Sequence, residues 1–318
     1  MITISIYKIH IFSIIQTFII LLIFLIMIEN IIYSAKVIRA KFVSDRRYLT
    51  KRFIAKLGYT PNFDQPKSFN EKVTARMIYE RVPLHTKLAD KFAVREIISD
   101  KICCSHFVPL IGVYKCFEEI DFNQLPNKFV LKCNHDSGSA IVCNDKAQFD
   151  IKKAQHKLNH HLKQNMYFRK REWHYKDIVP LILAEQHIDL FTDQNNKFTI
   201  TTCRVHCFEG QPRYLEVDVQ DSKGIDYSNM YDTSWILQPF TVDLKNNTPS
   251  CLARPQKLNK MLQLSEDLCF KYGYSRIDFL LSQDDVFFSE ITLTPNAGRM
   301  VITPSEWDEK LGALWLTD

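Results

Sequence analysis

Glycine and proline are scarce in this chain of 318 residues, which contains only 8 and 12 of them. Such low counts argue against long flexible linkers, because linkers of that kind are rich in these residues. Cysteine occurs nine times, an odd number, with no CxxC pair and no second cluster at the spacing of zinc ligands. We therefore interpret Cys103-Cys104 and the pair Cys203 and Cys207 as buried thiols in a reducing compartment.

The chain also lacks a strong excess of charge of one sign. Its 41 basic and 36 acidic residues give a net charge of +5, and no arginine-rich stripe interleaved with aromatic residues is present, as single-stranded nucleic acids would need. We therefore expect no nucleic-acid partner. The hydrophobic and charged contents, 46% and 24%, are those of a globular protein, and the length favours two domains.

One long hydrophobic run is present, near the N-terminus. The segment "IFSIIQTFIILLIFLIMI" (11–28) carries no charge over 18 residues, about the length that a helix needs to cross ~30 Å of hydrocarbon. A cleaved signal peptide and a start codon assigned too early are the alternatives. Seven basic residues follow between positions 36 and 52. The positive-inside rule then predicts a single-pass membrane anchor with the body of the protein in the cytoplasm.

The body of the chain alternates irregularly between helical and extended patterns. Ser68 precedes Glu71 by three residues, the spacing of a capping box at the start of a helix, and apolar residues continue at helical intervals towards residue 102. Extended segments further along are joined as hairpins and not through regular crossover helices. This order predicts a mixed α+β fold.

Two acidic residues stand inside otherwise apolar strands near the C-terminus. Asp278 lies in "RIDFLL" and Glu290 in "VFFSEITL", although strand interiors disfavour acids and an unpaired buried carboxylate is costly. If residues 283–285 form a three-residue loop, the two carboxylates face one another and favour a cation between them. Mg²⁺ suits such a site, with the Thr292 hydroxyl on the same face. Structural salt bridges, for instance with Arg276, are the alternative, and a two- or four-residue loop would separate the acids.

The segment "FVLKCNHDSGSAIV" (129–142) has the pattern of a hairpin with a polar tip. Lys132 places a positive charge in the first strand, and Ser137-Gly138-Ser139 at the tip offer hydroxyl and backbone N–H groups. Turns of this kind bind anions, and glycine lets the backbone approach closely. Together with a magnesium site downstream, the pattern favours binding of a nucleoside triphosphate.

These motifs, in this order, resemble those of ATP-grasp enzymes. The segments "FVLKCNHDSGS", "REWHYKDIVPLILAEQHI", "RIDFLL" and "SEITLTPNAG" resemble the TupA-like branch in particular, which is associated with the synthesis of teichuronopeptide and other surface polysaccharides. The resemblance extends over roughly residues 45–316. It implies an ATP-grasp fold, in which two α+β lobes clamp ATP and Mg²⁺ and a carboxylate is activated as an acyl phosphate.

The resemblance also assigns roles by position. The residues that it places at the nucleotide are Lys91, Lys132, Ser137, Gly138, Ser139, Glu185, Gln186, His187, Ile188 and Asp189. It implies that Lys132 contacts the α- and β-phosphates, that the backbone of 185–188 reads adenine and that Asp189 contacts ribose. Asp278, Glu290 and Thr292 take the metal roles, and Arg276 and Arg204 the catalytic ones, with Arg276 stabilising the acyl phosphate.

The expected function is therefore an ATP-dependent carboxylate–amine ligase of cell-surface polysaccharide synthesis. Its substrates would be a uronic acid glycan and an amino acid or acidic peptide. The expected domains are the anchor (1–35), an N-terminal helical or α+β region (36–120), a first ATP-grasp lobe (121–188) and a second lobe with the metal-binding hairpin (189–318).

Two alternatives stay open at this point. A glycosyltransferase of the same pathway would need a DxD-type metal pair, for which Asp284-Asp285 is the only near candidate, and a tight turn explains that pair better. A catalytically degenerate ATP-grasp scaffold is favoured by two departures from the family. Thr292 stands where many members have asparagine, and Arg204 where the branch tends to have lysine, and the two cations bind phosphate differently.

Overall fold

The predicted α+β class is confirmed by the computed structural model, which describes residues 27–193, 195, 197–243 and 247–316. Residues 27–42 form the first helix, α1. The remaining α-helices are α2 (Asp45–Leu57), α3 (Phe69–Tyr79), α4 (Pro83–Ala89), α5 (Ala93–Ile98), α6 (Ile151–Leu162), α7 (Met166–Lys170), α8 (Leu258–Leu268) and α9 (Glu306–Ala313). The strands are β1 (Leu110–Tyr114), β2 (Phe129–Cys133), β3 (Ile141–Cys143), β4 (Ile182–Gln186), β5 (Thr192–Asp193), β6 (Phe198–Phe208), β7 (Gln211–Asp221), β8 (Asp226–Asp232), β9 (Thr241–Val242), β10 (Tyr274–Leu281), β11 (Val286–Thr292) and β12 (Ile302–Thr303).

The predicted membrane span, 11–28, lies almost entirely outside the described residues. Within the ranges given above, no helix combines the length and the apolar character needed to cross a bilayer. The chain divides into two units, residues 1–47 and 48–318, and every predicted site residue belongs to the second. The four predicted domain boundaries stay predictions.

A four-stranded antiparallel sheet forms the first half of the second unit, in the order β1-β4-β2-β3. The hairpin predicted at 129–142 is present, since Phe129 pairs with Cys143 and Leu131 with Ile141. Helix α6 supplies Leu158 to the core of this sheet, where it is as fully buried as Phe129. The apolar residues of the hairpin are therefore packed in the core of this sheet. The tip that joins its two strands projects from the end of the sheet.

A six-stranded antiparallel sheet forms the second half. Its order is β11-β10-β6-β7-β8, with β5 paired to β6. In β6 the side chains alternate between two environments, as the period of a strand requires. Cys203, Val205 and Cys207 are buried in the apolar core that also contains residues of α8, whereas Arg204 and His206 point to the other face. One face of the sheet is thus apolar and the other carries charge.

The last hairpin, β10–β11, brings Asp278 opposite Glu290 as predicted, but not by the predicted loop. Leu281 pairs with Val286, so the loop has four residues, 282–285, and not three. The register then shifts between Asp278 and Phe279, because Ser289 is an extra residue in β11 that forms a β-bulge. The bulge compensates for the additional loop residue and returns the two acids to one face.

The prediction of buried thiols is confirmed for only one of the two cysteine pairs. Cys203 and Cys207 are buried, whereas Cys103 and Cys104 are exposed. The exposed pair lies at the start of a short 3-10 turn, Cys104–His106, in which only His106 is buried. Cys103 and Cys104 are not in a strand, whereas Cys203 and Cys207 occupy positions of β6 that face the core.

Helix α3 holds the turn that follows β11. The predicted capping box is present, with Ser68 and Glu71 each bonded to the other's backbone. Further along the helix, the Asn70 side chain donates to Met300 O at 2.9 Å and accepts from Met300 N at 2.7 Å. The turn itself is left-handed at Asn296, Ala297 and Gly298, with φ of 49°, 51° and 68°. An unusual backbone is therefore fixed by the helix that packs on it.

We expect Gly298→Ala to lower the free energy of unfolding by more than about 2 kcal/mol, from left-handed strain together with overpacking. A Cβ at this position would lie 2.1 Å from Thr74 Oγ1 and 3.0 Å from Asn70 O. Gly58→Ala is the matched control, because Gly58 has φ of 82° but no atom within 4 Å of its Cβ position. Urea unfolding of both variants measures the difference, and equal losses would show that α3 does not constrain the turn.

Candidate nucleotide site

A cleft of about 660 Å³ opens between the four-stranded and the six-stranded sheet of the second unit. Both sheets contribute polar side chains to it, because each directs one face of its alternating strands towards it. Apart from Asp189 and Thr292, every predicted site residue lines this cleft. Residues from 91 to 290 in the sequence are thus brought together in one place.

A row of charged residues crosses the floor of the cleft. Backbone pairing sets Glu216 of β7 opposite Arg204 of β6, Arg204 opposite Asp278 of β10, and Asp278 opposite Glu290 of β11. Residues that are directly opposite in an antiparallel sheet point to the same side. The four side chains therefore form one line across four strands, with the single cation between acids.

Asp278 is bound by Arg276 from its own strand. Arg276 donates from Nε and from one terminal nitrogen to the two carboxylate oxygens of Asp278, both at 2.7 Å. The same guanidinium donates to Thr292 Oγ1 at 3.1 Å. Burial raises the pKa of Asp278 to about 6, against the lowering effect of Arg276. Arg276 is thus held beside the acid in a bidentate geometry that fixes its direction.

Glu290 is bound by Lys91, which reaches it from the loop between α4 and α5. Lys91 Nζ lies 2.8 Å from Glu290 Oε2 and donates to Asp136 O at 2.6 Å. Burial alone would raise the pKa of Glu290, but the Lys91 ammonium and nearby Arg276 and Lys132 lower it to about 2. Lys91 therefore connects the loop of the first sheet with the acid of the second.

Arg204 forms its shortest ion pairs with acids of β7, the strand on the opposite side of it from Asp278 and Glu290. Its terminal nitrogens lie 2.7 Å from Glu216 Oε1 and 2.6 Å from Asp218 Oδ2, and its Nε lies 3.9 Å from Asp278 Oδ2. Glu216 also lies 3.4 Å from His206 Nε2. Sequence reasoning missed Glu216 and Asp218, although "YLEVDVQ" (214–220) carries the same signal as the acids it found, which is carboxylates inside an apolar strand.

Lys132 is paired with Glu185 of the neighbouring strand. Its Nζ lies 2.7 Å from Glu185 Oε2, and both side chains are nearly buried. Arg95 lies 3.5 Å from the other carboxylate oxygen. The Glu185 side chain therefore orients Lys132. The sequence analysis had assigned only the backbone of Glu185 a role, in the recognition of adenine.

The segment after β4 leads from one sheet to the other. Gln186 N donates to Pro109 O at 2.9 Å, so that N–H is already used within the sheet. His187 and Ile188 line the cleft. Asp189 does not line it, since its side chain is 84% exposed and lies 3.3 Å from Lys128 Nζ. After β4, the segment therefore faces the cleft with His187, Ile188 and Leu190, whereas Asp189 points away from it.

The tip of the first hairpin divides into a fixed part and an open part. Ser139 Oγ donates to Asp136 Oδ1 at 2.6 Å and accepts from Cys133 N at 2.8 Å, so its hydroxyl is already committed. Asp136 is bound further by His161 Nδ1. Ser137 and Gly138 are exposed, and Gly138 has φ of 98°. Only these two residues of the predicted triplet present free tip surface to the cleft.

The donor set fits Mg²⁺. This cation is commonly bound by one or two carboxylates and completes its shell with water and substrate phosphates. Asp278 and Glu290 supply two carboxylates on one face, and Thr292 Oγ1 lies 3.4 Å from Glu290 Oε1. The site thus has two carboxylates and not a larger cluster. In the part of the chain that the structure describes, no three or more His, Cys, Asp and Glu side chains are grouped so that they could hold a metal.

The sequence itself decides the family. Residues 71–316 match the profile of the family described as TupA-like ATPgrasp. The chain belongs to this family. No match is found among curated protein sequences.

Solved structures similar to the chain include the L-amino acid ligase from Bacillus licheniformis, with 12% identity and a TM-score of 0.43 over 72% of this chain and 49% of that one. The D-alanine–D-alanine ligase from Bacillus anthracis, complexed with ATP, gives 13% identity and 0.37 over 65% and 55%. The chain thus spans about half the length of these two structures. The family is shown by the match over residues 71–316.

We expect Glu185→Gln to lower the free energy of unfolding by about 3 kcal/mol, because it leaves Lys132 and Arg95 without their buried counter-charge. Asp189→Asn is the matched control, since its partner Lys128 is exposed and pairs of that kind contribute about 0–1 kcal/mol. Chemical denaturation without nucleotide measures both. A loss at position 185 no larger than that at position 189 would show that the Lys132 pair is not a stabilising element.

Proposed function

We propose that this member of the TupA-like ATP-grasp family is an ATP-dependent carboxylate–amine ligase that uses Mg²⁺. The observation that carries the proposal is the pair Asp278 and Glu290, opposed across two strands in a cleft that also holds Lys91, Lys132 and Arg276. Paired carboxylates beside several cations fit the transfer of a phosphoryl group, in which catalysis depends on position and charge.

The residues that line the cleft, together with Thr292 beside it, would have the following roles. Lys91 and Lys132 would bind phosphate oxygens, and Asp278, Glu290 and Thr292 would hold Mg²⁺, which would reduce repulsion between the phosphates and an incoming carboxylate. The substrate carboxylate would attack the γ-phosphorus with release of ADP. An amine in its neutral form would then attack the acyl carbon to form the C–N bond. Phosphate would leave with the electron pair of the broken C–O bond, and the nitrogen would lose a proton to the departing phosphate.

The charge of the cleft supports a requirement for metal. Six acidic and four basic side chains line it, so the lining has no excess of positive charge to balance ATP. Lys91 and Arg276 are also engaged by Glu290 and Asp278. A divalent cation on the two acids would free both residues to turn towards phosphate.

The wider role follows from the resemblance to the branch associated with surface polysaccharides. We propose a uronic acid glycan and an amino acid or acidic peptide as substrates, joined through an acyl phosphate. The apolar run at 11–28 and the basic residues after it support attachment to the cytoplasmic face of the membrane. The glycosyltransferase alternative is less well supported, because Asp284 and Asp285 form the β10–β11 turn and do not line the cleft.

A degenerate scaffold is the second candidate, and one observation favours it. Arg204 is held by both Glu216 and Asp218, which would limit its reach towards a phosphate. Binding of nucleotide with release of ADP supports the ligase, whereas binding without turnover for any carboxylate and amine supports the scaffold.

We expect Asp278→Asn and Glu290→Gln each to abolish release of ADP and to weaken binding of a non-hydrolysable ATP analogue by about 10- to 150-fold, since each removes a charged ligand of Mg²⁺. Wild-type protein should bind the analogue in Mg²⁺ and lose it in EDTA. Asp285→Asn, on the exposed turn of the same hairpin, is the control. Calorimetric titration gives the affinities, and unchanged affinity in both variants would make the acids a purely structural pair.

We expect Lys132→Ala to weaken binding of the same analogue by about 10- to 150-fold, through loss of a charge-assisted contact. Lys132→Arg should rescue only in part, because a planar fork replaces a compact ammonium. Gly138→Val should also weaken binding, since valine resists φ near 98° at the exposed tip. Lys128→Ala serves as control, and wild-type affinity in Lys132→Ala would remove this hairpin from the nucleotide site.

A further inference from the structure

Asp243 is an acid of the cleft that the proposed mechanism does not use. It directly follows β9 and lines the cleft together with Asn296, and both residues are exposed. Asn296 Nδ2 donates to Asp243 Oδ2, and Val301 N donates to Asp243 Oδ1 at 3.2 Å. An ionised carboxylate offers about four acceptor positions, so the described partners of Asp243 use only two of them. The rest of this carboxylate is open to a ligand in the cleft.

The charge of Asp243 is also uncompensated within the described structure. Its two hydrogen-bond partners, a side-chain amide and a backbone N–H, are uncharged. Each of the other five acids that line the cleft is bound by a basic side chain: Asp136 by His161, Glu185 by Lys132, Glu216 by Arg204, Asp278 by Arg276 and Glu290 by Lys91. Among the described residues, Asp243 is therefore the one acid of the cleft whose negative charge is available to a ligand.

The surrounding backbone fixes the position of this carboxylate. Asp243 N donates to Val301 O at 2.7 Å, next to the pairing of Val242 with Ile302 between β9 and β12. Asp243 and Asn296 both have a left-handed backbone, with φ of 55° and 49°, a conformation that Asp and Asn adopt more readily than most residues with a Cβ. Asn296 belongs to the turn that α3 holds. The carboxylate is thus bound by two separate segments of the chain.

Neither the metal nor the nucleotide suits Asp243. In the part of the chain that the structure describes, Asp243 is not grouped with Asp278 and Glu290 so that the three could hold one metal. A phosphate would be repelled by a carboxylate that no cation compensates. Asn296 follows Thr292 by four residues, so the chain allows at most about 14 Å between them. The remaining ionic group near the reacting end of the cleft is the amine, which is a cation in its protonated form.

We propose that Asp243, positioned by Asn296, binds the ammonium group of the amine-bearing substrate. The inference rests on the proposed ligase function and names the residue that would orient the amine. An ammonium supplies donors for the open acceptor positions and the charge that Asp243 lacks as a partner, and charge-assisted N–H···O bonds are the stronger kind. Because Asp243 is exposed, the bound ammonium can release a proton to solvent, which gives the neutral amine that attacks the acyl carbon.

The competing explanation is structural. In that case Asp243 joins Val301 to Asn296 and binds nothing. Asp243→Asn separates the two, since asparagine also adopts the left-handed backbone and its amide oxygen can still accept from Val301 N, whereas the negative charge is lost. Asp243→Glu keeps the charge on a longer side chain and is expected to retain part of the binding.

The test is calorimetric titration of the complex with Mg²⁺ and the non-hydrolysable ATP analogue. The probes are glycinamide and L-glutamate, each compared with the compound that has a hydroxyl in place of the ammonium, glycolamide and L-2-hydroxyglutarate. We expect wild-type protein to bind at least one amine more tightly than its hydroxyl counterpart. Asp243→Asn should weaken binding of that amine by about 10- to 150-fold and leave binding of the hydroxyl compound unchanged. Asp284→Asn, an exposed acid outside the cleft, is the control and should change neither.

Two results would overturn the proposal: no preference of the wild-type complex for either amine, or equal amine binding by wild type and Asp243→Asn. Affinity for the analogue is measured first in each variant. A loss there as large as the loss for the amine would assign Asp243 to the nucleotide instead, whereas unchanged affinity also shows that the variant is folded. Failure of the ligase proposal appears in that first titration as absence of Mg²⁺-dependent nucleotide binding. Failure of the amine site alone appears only in the second.

Discussion

Two carboxylates that face each other across neighbouring strands repel unless positive charge lies beside each of them. Asp278 and Glu290 stand in this relation, and the second unit is organised around their compensation. Arg276 binds one acid from the same strand, and Lys91 binds the other from a distant loop. Because Lys91 also holds the backbone of Asp136, the requirement for charge balance ties the loop of the first sheet to the last hairpin.

That Asp278 and Glu290 face each other could be predicted from the sequence. The four-residue loop and the β-bulge that bring them together could not. Asp278 and Glu290 could be singled out because both interrupt apolar runs, and an assumed three-residue loop placed them on one face. The predicted three-residue loop was wrong, and the extra residue at Ser289 restores the register. A bulge has no reliable local signal, since the extra residue looks like any other position of the strand, so a correct result was reached through two errors that cancel.

Side-chain partners across long sequence separations could not be predicted in the same way. The hairpin pattern supplied Lys132, and the family resemblance supplied Arg204, without the acids that pair with them. Glu185 lies 53 positions after Lys132, and its pairing depends on the position of β4 between β1 and β2. Glu216 meets Arg204 because β7 returns beside β6. Ser139 resembled a phosphate ligand from its position alone, whereas its hydroxyl closes the loop internally.

The pairing of each cation with an acid has a consequence for how the cleft can work. Buried charges without partners are strongly unfavourable, so the cleft neutralises its lysines and arginines with its own acids. A nucleotide can engage Lys91 or Arg276 only if something else then neutralises Glu290 or Asp278, and a divalent cation is a chemically suitable replacement. Arg204 differs from these two, because it is held by Glu216 and Asp218 and lies only 3.9 Å from Asp278. It is therefore the fixed positive charge of the row, and under the proposed function only Lys91 and Arg276 would exchange their acidic partners for phosphate.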